Sequence, residues 1–167
     1  MKYWLITDTH FNHIDKMQEF CGRPLNYEEL IFKGLSRIPK DDILIHLGDI
    51  CIGEDAQVHA KYIQPLECRK ILVRGNHDKK TNSWYLSNGW DFVVDSMLIE
   101  AFGKRVLFSH KPQQDLGYFD MNIHGHFHNS NRREEEFKDI CSDKHRLLAI
   151  EYTKYMPTNL DPFINKP

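Results

Sequence analysis

Aspartate, asparagine and histidine gather in five short runs of this chain: Asp8-Thr9-His10, Gly48-Asp49, Gly75-Asn76-His77-Asp78, His110, and Gly125-His126-Phe127-His128. Their oxygens and imidazole nitrogens ligate divalent cations. With no cysteine in the set, the mixture suits Mn²⁺, Zn²⁺ or Fe better than Ca²⁺ or a soft metal. Residues two apart on an extended segment point the same way. Asp8 and His10 can therefore reach one ion, and so can His126 and His128. Asp8, His10, Asp49, Asn76, His110, His126 and His128 are more ligands than one tetrahedral zinc requires. They suit two ions sharing a bridging carboxylate.

Each run ends a predicted strand. Tyr3 to Thr7, Ile43 to Leu47 and Lys70 to Arg74 are short apolar runs that stop at the polar residues above. Between them, Asn26 to Ile38 carries apolar residues at helical spacing, with Glu28 and Glu29 in the first turn where the helix dipole favours acids. Asp55 to Ile63 reads as a second helix, closed by Pro65. Alternating strands and helices suggest an α/β sheet, which binds ligands at the C-terminal ends of its strands. Farther on, Phe92 to Ala101 and Lys104 to Ser109 read as a hairpin, and Met121 to His124 and Arg146 to Tyr152 as further strands. The charge-rich segment from Asn131 to Arg146 reads as a solvated loop. The tail from Tyr155, with three prolines, reads as lacking regular structure.

The 167 residues fit one domain, 1–167. Twenty-two Lys and Arg against 24 Asp and Glu exclude a strongly basic nucleic-acid binder. Four scattered cysteines form no C-x-x-C pair and read as reduced thiols of a cytoplasmic protein. No run approaches the length of a membrane span, and the first residues lack the pattern of a secretory signal.

The five runs, in content and in order, resemble those of the calcineurin-like metallophosphoesterases, from residue 3 to about residue 152. Asp8-Thr9-His10-Phe11-Asn12-His13 with Arg23-Pro24 looks like a compact bacterial and phage branch. The resemblance implies a four-layer αββα sandwich, two mixed β-sheets flanked by helices. It implies that Asp8, His10 and His128 hold one divalent ion, that Asn76, His110 and His126 hold a second, and that Asp49 bridges them. Mn is the favoured metal, with Zn, Fe, Ni or Co as alternatives. Two divalent ions less two aspartates leave a net charge of about +2 opposite a phosphate, and such pairs support hydrolysis by a bridging hydroxide. The implied substrate is a small or nucleotide-like phosphoester, cleaved as a diester or a monoester. His77 has no assigned metal, and its imidazole side chain suits the role of general acid to the leaving group. Asp78 could orient its ring. Ile52 stands where protein phosphatases of the family carry a second aspartate, which disfavours that activity.

Neighbouring residues leave alternatives open. Asn12 and His13 could touch the phosphate or pack the loop. Arg23 could clamp the phosphate or form a surface salt bridge. Lys111 could contact substrate. His46 and His124 suit packing beneath the ligands, His59 and His145 suit the surface, and Trp84, Tyr85 and Trp90 suit the core rather than base stacking. Two other functions compete: a scaffold of the same fold that binds protein partners, and a structural zinc or nucleic-acid-binding domain. Occupied ligand positions count against the first. The lack of C-x-x-C pairs and of positive charge counts against the second. No strong nucleic-acid or membrane binding is expected, and a homodimer is compatible with the sequence.

Overall fold

Isoleucine, leucine and valine give the short strands their extended preference, and hydrogen bonding arranges them in two sheets. The computed structural model describes residues 1–165. In the first sheet, β1 (Tyr3–Ile6), β2 (Ile43–His46) and β3 (Arg69–Val73) run parallel, with Ile6, His46 and Leu72 in register. Parallel β4 (Phe92–Val94) flanks β3, and antiparallel β9 (Thr158–Asn159) flanks β1. The second sheet has the order β5 (Ser96–Ala101), β6 (Lys104–Ser109), β7 (Met121–His124) and β8 (His145–Leu147). Its first pair is antiparallel and the rest parallel. The fold is thus an α/β sandwich of two mixed sheets with helices, as the resemblance implies.

Period-2 alternation splits the strands' side chains between two cores. Ile6, Leu44 and Leu72 face a layer of helices: α1 (Ile14–Cys21), α2 (Tyr27–Leu35), α3 (Asp55–Val58) and α4 (Asn82–Ser87). Leu5, Ile45 and Val73 face the second sheet and meet Val106, Phe108 and Ile123. Burying one such side chain contributes about 1.5–3 kcal/mol. The two cores therefore fix the strand ends, and with them the loops that follow. Short α5 (Asn131–Glu136) lies after β7, and α6 (Leu160–Asn165) packs Leu160 and Ile164 into the inter-sheet core. Among the described residues no helix is long and apolar enough to cross a membrane.

Several expectations need correction. The run Phe92 to Ala101 is two strands in different sheets, separated at Asp95. The helix expected over 55–63 holds α geometry only to Val58 and continues as a π-helical turn, His59–Ile63. The strand expected over 146–152 ends at Leu147, and residues 149–155 turn back on hydrogen bonds such as Tyr155 N–H to the Ile150 carbonyl. The expected loop 131–146 opens with α5. The tail forms β9 and α6 because β1 offers it a free edge; residues 166–167 lie outside the described part.

Candidate metal centre

Because β1, β2 and β3 end in register, Asp8, Asp49 and Asn76 emerge along one edge of the first sheet. β6 and β7 likewise end together at Ser109 and His124, so His110 and His126 emerge side by side on the second. The two edges meet through His110, whose Nδ1–H donates to the Leu47 carbonyl at 2.8 Å. That bond fixes the tautomer and leaves Nε2 facing the cluster.

Two groups of donors result. Asp8, His10 and His128 bring their ligand atoms within 4.8 Å of one another, and so do Asp49, His110 and His126. In the first group, Asp8 Oδ1 lies 3.8 Å from His10 Nε2 and 3.6 Å from His128 Nε2. In the second, His110 Nε2 lies 3.1 Å from Asn76 Oδ1, 3.2 Å from His126 Nδ1 and 3.3 Å from Asp49 Oδ2. Asp49 Oδ2 is also 3.8 Å from His10 Nε2, so this one oxygen stands between the groups. All seven residues singled out as ligands in the sequence are brought together here.

The donor chemistry fits divalent cations. Asp8 Oδ1 is buried with no hydrogen-bond partner among the described residues, although Oδ2 accepts from the Thr7 hydroxyl and the His126 N–H. A buried unpaired carboxylate oxygen is costly unless something positive meets it. Burial pushes His10 and His126 down to about 3, against the pull of nearby carboxylates. Both rings are therefore neutral, the form that binds metal. Burial opposes the charging of His110 and His128 as well. Even so, Asp49 and Asp8 lift His110 to about 9, and Asp8, Cys21 and Glu151 lift His128 to about 10. Both aspartates are held below the usual carboxylate range: burial would raise them, and the facing histidines more than offset it. A bound cation would replace the two imidazolium protons.

The loop backbone is bent to make these approaches. Asp8, His10, Asp49, His126 and His128 all have φ between +44° and +70°. This region costs about 1–3 kcal/mol per residue, is least costly for Asp, Asn and His, and clusters at functional sites. Two glycines permit the contacts between loops. A Cβ on Gly75 would stand 2.1 Å from Asp49 Oδ1, and one on Gly125 would stand 2.1 Å from Thr7 Oγ1 and 2.4 Å from Asp8 Oδ2.

His77 sits at the rim with its side chain about half exposed (47%). Its Nε2 lies 4.0 Å from Asp49 Oδ2 and its N–H donates to Asp49 Oδ1. Asp78 does not orient that ring. Its carboxylate turns inward and accepts the N–H groups of Asp49, Ile50 and Gly75. Burial raises its pKa while those N–H groups lower it. Its role is to pin the loop carrying Asp49 against the loop carrying Asn76.

Arg23 is neither a phosphate clamp nor a surface group. It is 1% exposed beneath the site. It donates to the carbonyls of Asp8 and Thr9 and pairs with Glu151 Oε1 at 2.7 Å. Asn12 Nδ2 donates to the Ile52 carbonyl, which braces the two loops against each other. His13 lies half-buried, its ring 6.2 Å from that of His10. Lys111 is half-buried after His110, and its charge helps to lower His126. His46 does pack beneath the ligands: Nδ1 accepts the Gly48 N–H and Nε2 faces Thr9 Oγ1 at 3.0 Å. His124 Nδ1 donates to the Gly125 carbonyl. Tyr85 and Trp90 are core residues, with Trp84 packed against the same core. His59, expected on the surface, is fully buried with its ring edge-on to Trp84. His145 is half-buried and bonds the Gln113 carbonyl.

Sequence reading missed Glu151, which lies 3.3 Å from His128 Nδ1 and accepts from Arg23. A lone acid closing the apolar run Leu148-Ala149-Ile150 was its only signal. The carboxylate sets the His128 ring so that Nε2 faces Asp8. Tyr27 was missed as well; its hydroxyl donates to the His10 carbonyl at 2.5 Å.

An α/β sandwich with aspartates, histidines and an asparagine converging at its strand ends is the architecture of a metal-dependent phosphoesterase. The profile of the calcineurin-like phosphoesterases matches residues 1–158, and the chain belongs to that family. It is 30% identical over 168 residues to the uncharacterized protein MJ1445 of Methanocaldococcus jannaschii, covering 96% of this chain and 88% of that one. Its structure is similar to that of the protein AQ665 from Aquifex aeolicus, whose function is unknown. The TM-score is 0.73 at 26% identity, covering 98% and 97% of the two chains.

Proposed function

We infer that this protein is a dinuclear-metal hydrolase of small, nucleotide-like phosphodiesters or phosphomonoesters, with His77 as proton donor. The observation that supports this best is Asp49 Oδ2, which stands between two groups of buried donors. Asp8, His10 and His128 would hold one ion, and Asn76, His110 and His126 the other, with Asp49 shared. Mn²⁺ is the favoured metal. When bound, such ions supply Lewis acidity toward phosphoryl oxygens and lower the pKa of water.

The chain's own groups do the rest. Glu151 and the Leu47 carbonyl orient His128 and His110. Asp78 and Arg23 hold the loops in their strained conformation. His77 Nε2, exposed at the rim, would pass its proton to the departing alkoxide oxygen. A reducing, cytoplasmic location belongs to the same reading and is supported by four free cysteines.

The test is turnover of bis(p-nitrophenyl) phosphate, p-nitrophenyl phosphate and 2′,3′-cyclic nucleotides with Mn²⁺, Zn²⁺ and Ni²⁺. Metal-dependent turnover of at least one is expected. Inactivity on all of them with every metal would overturn the reading in favour of a protein-binding scaffold.

A further inference from the structure

A cavity of about 520 Å³ opens beside the metal centre. Phe20, Cys21, His126, His128, Arg132 and Arg133 contribute to its wall. It takes His128 from one donor group and His126 from the other, so it adjoins the place where a scissile phosphate would bind. Its volume is that of an ordinary small-ligand site. The charge-rich segment that read as a solvated loop supplies its cations.

Arg133 Nη1 donates to the His126 carbonyl, which fixes this guanidinium against the metal centre. Arg132 has an 88% exposed side chain, and among the described residues its ion pair is with Glu136 at 3.3 Å. An exposed pair of this kind is weak, so a doubly charged phosphate displaces Glu136 with little opposition. The Arg132 fork then matches phosphate oxygens in a bidentate way. Ser130 adds a hydroxyl at the same wall, one that makes no capping hydrogen bond to α5. The same cavity is lined by Phe20, a large apolar ring that is 67% exposed. Lys16 Nζ lies 5.3 Å from its ring centroid. An exposed aromatic face beside a phosphate site is a platform for a nucleobase.

We propose that this cavity binds the part of the substrate beyond the scissile phosphate, and that this part is a nucleoside carrying a second phosphate. The base stacks on Phe20 and the second phosphate pairs with Arg132 and Arg133. The proposal rests on the phosphoesterase reading, because it places the scissile phosphate at the donor groups.

The test compares adenosine 3′,5′-bisphosphate with adenosine 5′-monophosphate in calorimetric binding to the Mn²⁺-loaded full chain. The bisphosphate is expected to bind about tenfold tighter. Arg132→Glu is expected to abolish that preference, Arg132→Lys to keep part of it, and Phe20→Ala to weaken both ligands severalfold. Equal affinity for the two ligands, no binding of either, or an undiminished preference in Arg132→Glu would overturn the proposal. Turnover of the three ester substrates named above, with each of the three metals, is measured in parallel on the unaltered protein. Inactivity on all of them would refute the phosphoesterase reading, while the binding result separately decides the cavity.

Discussion

Gly125→Ala adds one methyl group beside the most constrained carboxylate of the site. The new Cβ would lie 2.1 Å from Thr7 Oγ1 and 2.4 Å from Asp8 Oδ2, at least 1 Å short of the 3.4–4 Å of ordinary contact. Neither neighbour can give way alone. Thr7 Oγ1 donates to Asp8 Oδ2, and the same oxygen accepts the His126 N–H. The shift therefore passes to Asp8 and His126, one ligand from each group. Overpacking of this kind costs about 1–3 kcal/mol, so most of the chain should still fold. Misplacing a reacting group by about 1 Å costs on the order of 100-fold in rate. The expected result is a folded protein with weakened Mn²⁺ affinity and a roughly 100-fold loss of turnover. Gly103→Ala is the control: its φ of +73° imposes strain, yet a Cβ there meets no heavy atom within 4 Å. It should lose stability and keep its metal. Wild-type metal affinity with turnover within about threefold in Gly125→Ala would refute the reasoning.

Three further outcomes are expected. His77→Ala should keep its metal content and lose about 10²–10⁴-fold on esters with poor leaving groups, with far less loss on p-nitrophenyl esters; equal losses on both would remove the proton-donor role. Arg23→Met removes the guanidinium partner of the buried Glu151 carboxylate, leaving it His128, and should cost about 3–5 kcal/mol in urea unfolding, the range for breaking a buried ion pair; a change below about 1 kcal/mol would contradict the pairing. Burial pushes His46 down to about 3, so between that value and about 6.5 the unfolded chain binds a proton that the folded chain refuses. Stability of the metal-free protein should then fall as pH drops through this window, and His46→Gln should flatten the slope of urea midpoints against pH.

Much of the site was legible because a strand end is a local event. An apolar run that stops at Asp8, Asp49 or Asn76 carries both the strand and the exit point of the ligand. Parallel pairing then aligns the exits without further information. What depended on distant partners was not legible. Arg23 and Glu151 are separated by 128 positions, and nothing local marks either as the other's counter-ion. Asp78 beside His77 suggested a ring partner, but the folded chain gives its oxygens to three backbone N–H groups. The split at Asp95 was hidden because both halves of that run are equally suited to strand; only the tertiary arrangement sends them to different sheets. The left-handed backbone at five ligand positions is likewise a product of tight loop packing rather than of residue type.

The central claim is two ions in one cluster. Metal-stripped protein titrated with Mn²⁺ measures it directly, with bound metal counted by atomic emission and turnover followed at each equivalent. The account predicts about two ions per chain, turnover that rises with the second ion, and about one ion per chain in His110→Ala. One ion per chain in the unaltered protein, or full turnover at a single equivalent, would contradict it.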